Sequence, residues 1–305
     1  MFQIFFFKIT SNDLKKVDEK IYLDKYEVNI YENIKEKILS KNSSRMWLNQ
    51  REFLNGVIRK FRPKKIIELG VAEGGSSSII LNAIFDIKNS HLYSIDLSTH
   101  FLIGSCVKML VPKYLDKWSL YKGYTAAKFL EQIGGGINMA FIDTSHFEPG
   151  EILDFLIILP FLSRGAIIVF HDIGNQITIS QGKNSRREHA PYLIFNIIKG
   201  KKFLPSGNGI LTKDIGAIKL EGNQKEYVHD YFRALGGQWE YLPNEEDIDM
   251  IREIFKKYYD KDCLTMFEEA ISFNRIFIKN NPINKKVRYK FTSESLSYFD
   301  NKNAG

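Results

Sequence analysis

The sequence predicts an α/β protein: a doubly wound, mostly parallel seven-stranded sheet with helical extensions at both ends. Three observations predict it. Short apolar runs of strand length alternate with amphipathic stretches between residues 61 and 220. A glycine-rich turn joins the first of these runs to the helix that follows. The last two runs have no helix-length segment between them, so the final strand must turn back antiparallel.

The chain opens on MFQIFFFKIT. This stretch is apolar, but it lacks a basic leader and is broken by Lys8, so it reads as an edge strand or packing segment. Residues 11–60 read as helical and polar. Ser43 or Ser44 is placed to cap a helix in which Trp47, Phe53, Leu54, Val57, Ile58 and Phe61 form an apolar stripe, and Pro63 ends it. Strands are expected at Ile66–Leu69, His91–Ile95, Ser119–Tyr121, Met139–Ile142, Ala166–Phe170, Lys202–Leu204 and Gly216–Leu220. The helices between them are expected at Ser76–Phe85, Phe101–Leu115, Ala126–Ile133, Pro149–Leu162 and Arg186–Ile198. Beyond the sheet, Asn244 followed by Glu245, Glu246 and Asp247 marks a capped helix start. Ile248, Ile251, Phe255 and Tyr258 give that helix one apolar face. A second helix is expected near Leu264–Ile276, and the tail from Asn280 reads as frayed. The organisation is therefore an N-terminal extension (1–60), a core (61–220) and a C-terminal extension (221–305) that suits a lid, an interface between identical chains or a substrate platform.

Composition limits the function classes. The 305 residues are 44% hydrophobic, enough for a sizeable core. Two cysteines, Cys106 and Cys263, make neither a disulfide framework nor a metal-type spacing, which points to a reducing, cytoplasmic setting. There is no run of about 18 apolar residues, so no membrane-spanning helix is expected. The formal charge of +7 is spread as lysine along the whole chain, a solvated surface rather than a nucleic-acid footprint.

The glycine-rich turn narrows the ligand. In KIIELGVAEGGSSSIIL, an apolar strand carrying Glu68 runs into Gly70-Val-Ala72-Glu73-Gly74-Gly75-Ser76, and a helix follows. Such a turn presents bare N–H groups and a helix N-terminus to a ligand. It is not the G-x-G-x-x-G of dinucleotide folds. An acid beside the loop is a poor neighbour for a pyrophosphate and a good one for a cationic amino-acid ligand. In a doubly wound sheet, ligands sit at the carboxyl ends of the strands. Asp96 ends the second strand, where an acid can accept the ribose hydroxyls of an adenosine ligand. Thr125, with Tyr124, follows the third. Asp143 and His146 follow the fourth, and His171 and Asp172 the fifth, so two neighbouring strands bring an acid and a histidine each to one edge.

Glu68-x-Gly70-x-x-x-Gly74 resembles the first motif of the class I S-adenosylmethionine-dependent methyltransferases. ELGVAEGGSS is similar to the small-molecule O-methyltransferase branch of macrolide-sugar and cephalosporin-cluster enzymes. The resemblance implies a Rossmann-like methyltransferase fold over residues 61–220. It implies a cofactor held by Glu68, Gly70, Ala72, Glu73, Gly74, Ser76, Asp96, Thr125 and Asp143. It also implies that acids at the fourth and fifth strand ends, here Asp143 and Asp172, hold a divalent ion such as Mg2+ against the acceptor hydroxyl. Many relatives have two consecutive acids after the fifth strand. This chain has His171-Asp172, so one ligand is replaced or missing, and a metal-free enzyme with His146 or His171 as base, beside Asp143, fits as well.

The expected activity is O-methylation of a sugar, a nucleotide-sugar or another small molecule. Lys183, Arg186 and Arg187 in the segment after the fifth strand are positioned by sequence to meet an anionic acceptor. Two other readings stand beside it: a nicotinamide-dependent oxidoreductase, and a cofactor-binding assembly protein without turnover. A nucleic-acid methyltransferase is disfavoured, because no Asn/Asp-Pro-Pro-Tyr/Phe string follows the fourth strand.

Overall fold

The computed structural model describes residues 46–174, 190–206 and 214–280. The expected N-terminal strand, the Ser43 or Ser44 cap, the basic Lys183–Arg187 cluster and the frayed tail lie outside those residues.

The first described helix, α1 (Leu48–Phe61), buries Phe53, Leu54, Val57 and Ile58 and ends at Arg62 in a left-handed turn before Pro63. Trp47, expected on the apolar stripe, is instead 63% exposed, and Met46 is buried. Trp47 precedes the first helical turn, so helical periodicity does not govern where its ring points.

The core then follows the predicted alternation, beginning β1 (Lys65–Leu69), α2 (Gly75–Ala83), β2 (His91–Asp96), α3 (Ser105–Leu110) and β3 (Trp118–Lys122). It continues α4 (Leu130–Ile133), β4 (Ile137–Ile142), α5 (Gly150–Ile158), β5 (Leu162–His171), α6 (Ala190–Ile197), β6 (Gly200–Phe203) and β7 (Ile215–Leu220). The helices expected over 101–115 and 126–133 are broken. Each is a short α-helix joined to a 3-10 turn, one at Pro112–Lys117 and one at Ala126–Lys128. Pro112 removes a donor from the first of them.

The sheet order is β3-β2-β1-β4-β5-β7-β6. The pairings from β3 through β5 are parallel, and β7 is antiparallel to both β5 and β6. This is the seven-stranded, terminally reversed sheet of the methyltransferase fold that the alternation predicted. Strands β1, β4 and β5 are buried on both faces, which is why they read as near-continuous apolar runs.

The C-terminal extension adds α7 (Val228–Arg233), α8 (Glu245–Tyr258) and α9 (Lys261–Asn280). Asn244 caps α8 as expected, its side chain accepting from the Asp247 N–H at 2.8 Å. Ile248, Ile251 and Phe255 join the same buried core as α5 and the sheet. Polar ties reinforce this docking. The Tyr259 hydroxyl donates to the Leu156 carbonyl at 2.6 Å, and Lys257 and the Tyr258 hydroxyl both reach Glu131 at 2.8 Å. The extension is thus built onto the core. Among the described residues, no helix is long and apolar enough to cross a membrane.

Candidate active site

The site begins where β1 meets β4. The Asp143 N–H donates to the Leu69 carbonyl at 2.9 Å, and the Gly70 N–H donates to Ile95 at 3.0 Å. The two chains come so close that a Cβ on Gly70 would stand 1.9 Å from the Asp143 carbonyl oxygen, with φ at +84° besides. Only glycine fits there. Ala72, with φ 47°, continues the turn in a left-handed conformation, and Gly74 closes it as the N-cap of α2.

A cavity of about 260 Å³ opens over this turn. Gly70, Ala72 and Ser76 line it from the turn, Asp96 from β2, Tyr124 and Thr125 from beyond β3, and Asp143 from β4. Of the expected cofactor residues, Glu68, Glu73 and Gly74 are not among its lining. Glu68 is wholly buried beneath α2, where the Ser76, Ser77 and Ser94 hydroxyls each donate to its carboxylate at 2.6 Å. Burial pushes its pKa up to about 7 even against those three bonds, which pull it down. The strand direction explains this placement. Ile67 and Leu69 face the core shared with α5, whereas Glu68 shares the opposite face with Ile66. The run Ser76-Ser77-Ser78 at the helix start was the available signal for a hydroxyl cage.

Asp96 holds the turn in shape. Its Oδ2 accepts from the Val71 and Ala72 N–H groups at 2.9 and 3.0 Å, and its Oδ1 from Ser98 at 2.8 Å. Oδ2 thus has both lone pairs occupied, and Oδ1 keeps one for a ligand hydroxyl. Asp96, Asp143, Asp154 and Asp247 all line the cavity, and among its described lining there is no lysine or arginine. Such a cavity suits a cationic ligand and opposes a pyrophosphate.

Beside the cavity, β4 and β5 deliver the cluster that the strand ends predict. His146 Nε2 lies 2.9 Å from Asp172 and 3.6 Å from Asp143, and its Nδ1 lies 3.3 Å from Glu151. His171 Nδ1 lies 3.2 Å from both Asp143 and Asp172. Asp143, His146, His171 and Asp172 are therefore one assembly. His146 (φ 63°) and Asp172 (φ 57°) both hold left-handed backbone, a local strain that places side chains at functional edges. Burial opposes charge on both imidazoles but the acids outweigh it. Asp172 and Glu151 hold His146 well above its usual range, and Asp143 and Asp172 lift His171 to about 10. Burial works against the Asp172 carboxylate, yet the two imidazoles hold it far below the ordinary range.

Three acids in this neighbourhood escaped the sequence reading. Glu151, in the first turn of α5, accepts from the His146 N–H at 2.6 Å. Asp154, one turn on, accepts from Thr144 at 2.7 Å and is pushed up to about 7 by burial. Asp214 precedes β7 and accepts from the Gly174 N–H at 2.7 Å; burial, then the charge of Asp172, push it up to about 7. Because β7 is antiparallel, its beginning rather than its end lies at the active edge. That reversal was the signal for Asp214.

Asp143, His171 and Asp172 fit a divalent ion: one ligand atom from each lies within 4.8 Å of the others, and both ring nitrogens of the buried His171 lack a hydrogen bond. His171 occupies the place where the resemblance expects an acid. Two carboxylates plus an imidazole suit a transition-metal dication better than magnesium, which prefers oxygen ligands.

Residues 67–173 match the family model of a methyltransferase domain. That stretch carries a methyltransferase domain. A Staphylococcus aureus structure provisionally described as a caffeoyl-CoA O-methyltransferase has the same fold, with TM-score 0.50 and 18% identity over 65% of this chain and 98% of that one. Looser likenesses are an O-methyltransferase of tomaymycin synthesis from Streptomyces achromogenes, in complex with S-adenosylmethionine, and an O-methyltransferase from Bacillus cereus, in complex with S-adenosylhomocysteine. The first has TM-score 0.47 and 14% identity over 66% of this chain and 92% of that one. The second has the same score and identity over 63% and 90%. No curated protein matches the chain. The matched stretch runs from within β1 to just past β5; the hairpin of β6 and β7 and the C-terminal helices lie outside it.

Proposed function

We propose that the chain moves the methyl group of S-adenosylmethionine onto a hydroxyl of a sugar, a nucleotide-linked sugar or another small molecule. The observation that carries this reading is the assembly of Asp143, His146, His171 and Asp172 at the edge of an acidic cavity. The sulfonium is already activated, so the protein's task is to align an oxygen behind the methyl group and receive its proton. Asp143, about one quarter exposed and lining the cavity, is the group in this cluster best placed to receive it, while His146, kept charged by Asp172 and Glu151, holds the carboxylates in place. A divalent ion held by Asp143, His171 and Asp172 would lower the pKa of a bound hydroxyl. Asp96, Gly70, Ala72, Ser76 and Thr125 hold the cofactor in this reading, and Glu68 supports the turn from beneath.

The test is release of S-adenosylhomocysteine from S-adenosylmethionine across a panel of free sugars, nucleotide sugars and catechols, with and without added manganese or magnesium. Turnover on one acceptor class, lost in His146→Ala while cofactor affinity stays, supports the reading. Binding of NAD with no binding of either sulfur nucleoside would sink it.

A further inference from the structure

The cavity over the glycine turn is not closed by the methyltransferase domain alone. Tyr241, Asn244, Asp247 and Ile251 of the C-terminal extension form part of its wall, facing Thr125 and Asp96. Asp247 is the unusual member. It is the third residue of α8, a position where an acid is ordinarily solvated and complements the helix dipole. Here it is 7% exposed, against the Thr125 backbone N–H and the Asn244 side chain. A carboxylate offers roughly four acceptor positions, so two such neighbours leave capacity unused on a buried group. Next to it, the Thr125 hydroxyl is buried with no hydrogen-bond partner. A buried acceptor and an unused hydroxyl side by side are what a flat ligand with an amine next to a ring nitrogen requires.

The sheet order says which part of the cofactor arrives there. Strands run β3-β2-β1-β4-β5 across this edge. In the reading above the reacting methyl must face the cluster at β4 and β5, and the ribose must meet Asp96 at the end of β2. The remaining portion, the nucleobase, continues past β2 toward the end of β3, where Thr125 and Asp247 stand. We propose that Asp247, supplied by the C-terminal extension, is a cofactor-specificity residue that accepts a hydrogen bond from the exocyclic amine of adenine. The Thr125 hydroxyl donates to the adjoining ring nitrogen. The extension then acts as the fourth wall of the base pocket, and the domain matched by the family model is incomplete without it. Burial, and then the charge of neighbouring Glu246, raise the Asp247 pKa against the donors it faces.

This inference rests on the S-adenosylmethionine reading, and its test separates the two. Calorimetry would compare S-adenosylhomocysteine with its 6-desamino analogue, on the full chain and on Asp247→Ala. The wild type should prefer the amino form by about tenfold or more, the size of a charge-assisted hydrogen bond. Asp247→Ala should bind the two forms within about threefold of each other. Asp247→Leu, which fills the space without an acceptor, repeats the comparison if the alanine variant does not fold. A wild type that binds both forms equally, or a variant that keeps the wild-type preference, overturns the base contact and leaves the cofactor reading standing. A wild type that binds neither form overturns both.

Discussion

Gly70 and Asp143 meet backbone to backbone: the hydrogen that glycine carries in place of a side chain points at the Asp143 carbonyl, and a Cβ there would lie 1.9 Å from its oxygen. The contact joins the cofactor turn to the strand end that carries Asp143 and His146. Gly70→Ala must therefore push β1 and β4 apart as well as adopt a left-handed φ. It should lower stability by about 3 kcal/mol or more and abolish cofactor binding. Gly136→Ala is the control. Its φ is +79°, but a Cβ there meets nothing within 4 Å, so only the backbone term of about 1 kcal/mol applies. Chemical denaturation of both variants checks the difference.

Glu68 makes stability depend on pH. Its folded pKa of about 7 stands above the ordinary value of 4.5, so the fold binds a proton that the unfolded chain releases. The stabilisation is fully present below about pH 4.5 and is lost as pH rises through 7. Glu68→Gln removes this term. Between pH 5 and pH 8 the wild type should lose roughly 2–3 kcal/mol relative to that variant. Asp154 titrates in both proteins and cancels in the comparison. Urea midpoints at the two pH values measure it, and a difference independent of pH would refute the assignment.

The contrast between Glu68 and Asp96 shows what the sequence could reveal. Both are acids at strand ends, but Asp96 is the last residue of β2 and reaches the turn, whereas Glu68 lies one residue inside β1. In a strand buried on both faces, apolar alternation vanishes, and nothing local says which face an acid takes. Asp143, His146, His171 and Asp172 were legible because strand ends converge wherever the sheet is parallel. Asp214 reaches the site through the reversed strand, which the hairpin-like ending signals, whereas Tyr241 and Asp247 reach it through the C-terminal extension, by long-range packing that no local pattern encodes.

His146 sits between Asp172 at 2.9 Å and Glu151 at 3.3 Å, while Glu151 also accepts from the His146 backbone. These acids keep the ring charged, and it positions the Asp143 carboxylate proposed to receive the acceptor's proton, so His146→Ala should lower kcat by about 10²-fold with little change in S-adenosylmethionine affinity. Glu151→Gln keeps the ring and removes one charge that orients it, so a smaller loss, on the order of tenfold, is expected. Single-turnover rates with saturating cofactor distinguish the two. An equal loss in cofactor binding would place His146 in the cofactor pocket instead.

Asn274 connects packing to the site. It is fully buried on α9; its Oδ1 accepts from the Trp239 N–H at 2.7 Å, and its Nδ2 donates to Gly237 at 3.1 Å and Ala270 at 2.9 Å. Those bonds hold the segment that leads into Tyr241 and Asn244, the wall of the cavity. Asn274→Ala leaves the Trp239 N–H and the Gly237 carbonyl unpaired in the interior, which should cost about 2–3 kcal/mol. Because the loosened segment borders the cavity proposed for the cofactor, cofactor affinity should fall several-fold as well, although Asn274 is not among the cavity's lining residues. Asn274→Asp retains the acceptor for Trp239 and should recover part of both losses. A variant that loses stability but binds S-adenosylhomocysteine as tightly as the wild type would show that the wall keeps its shape without this anchor.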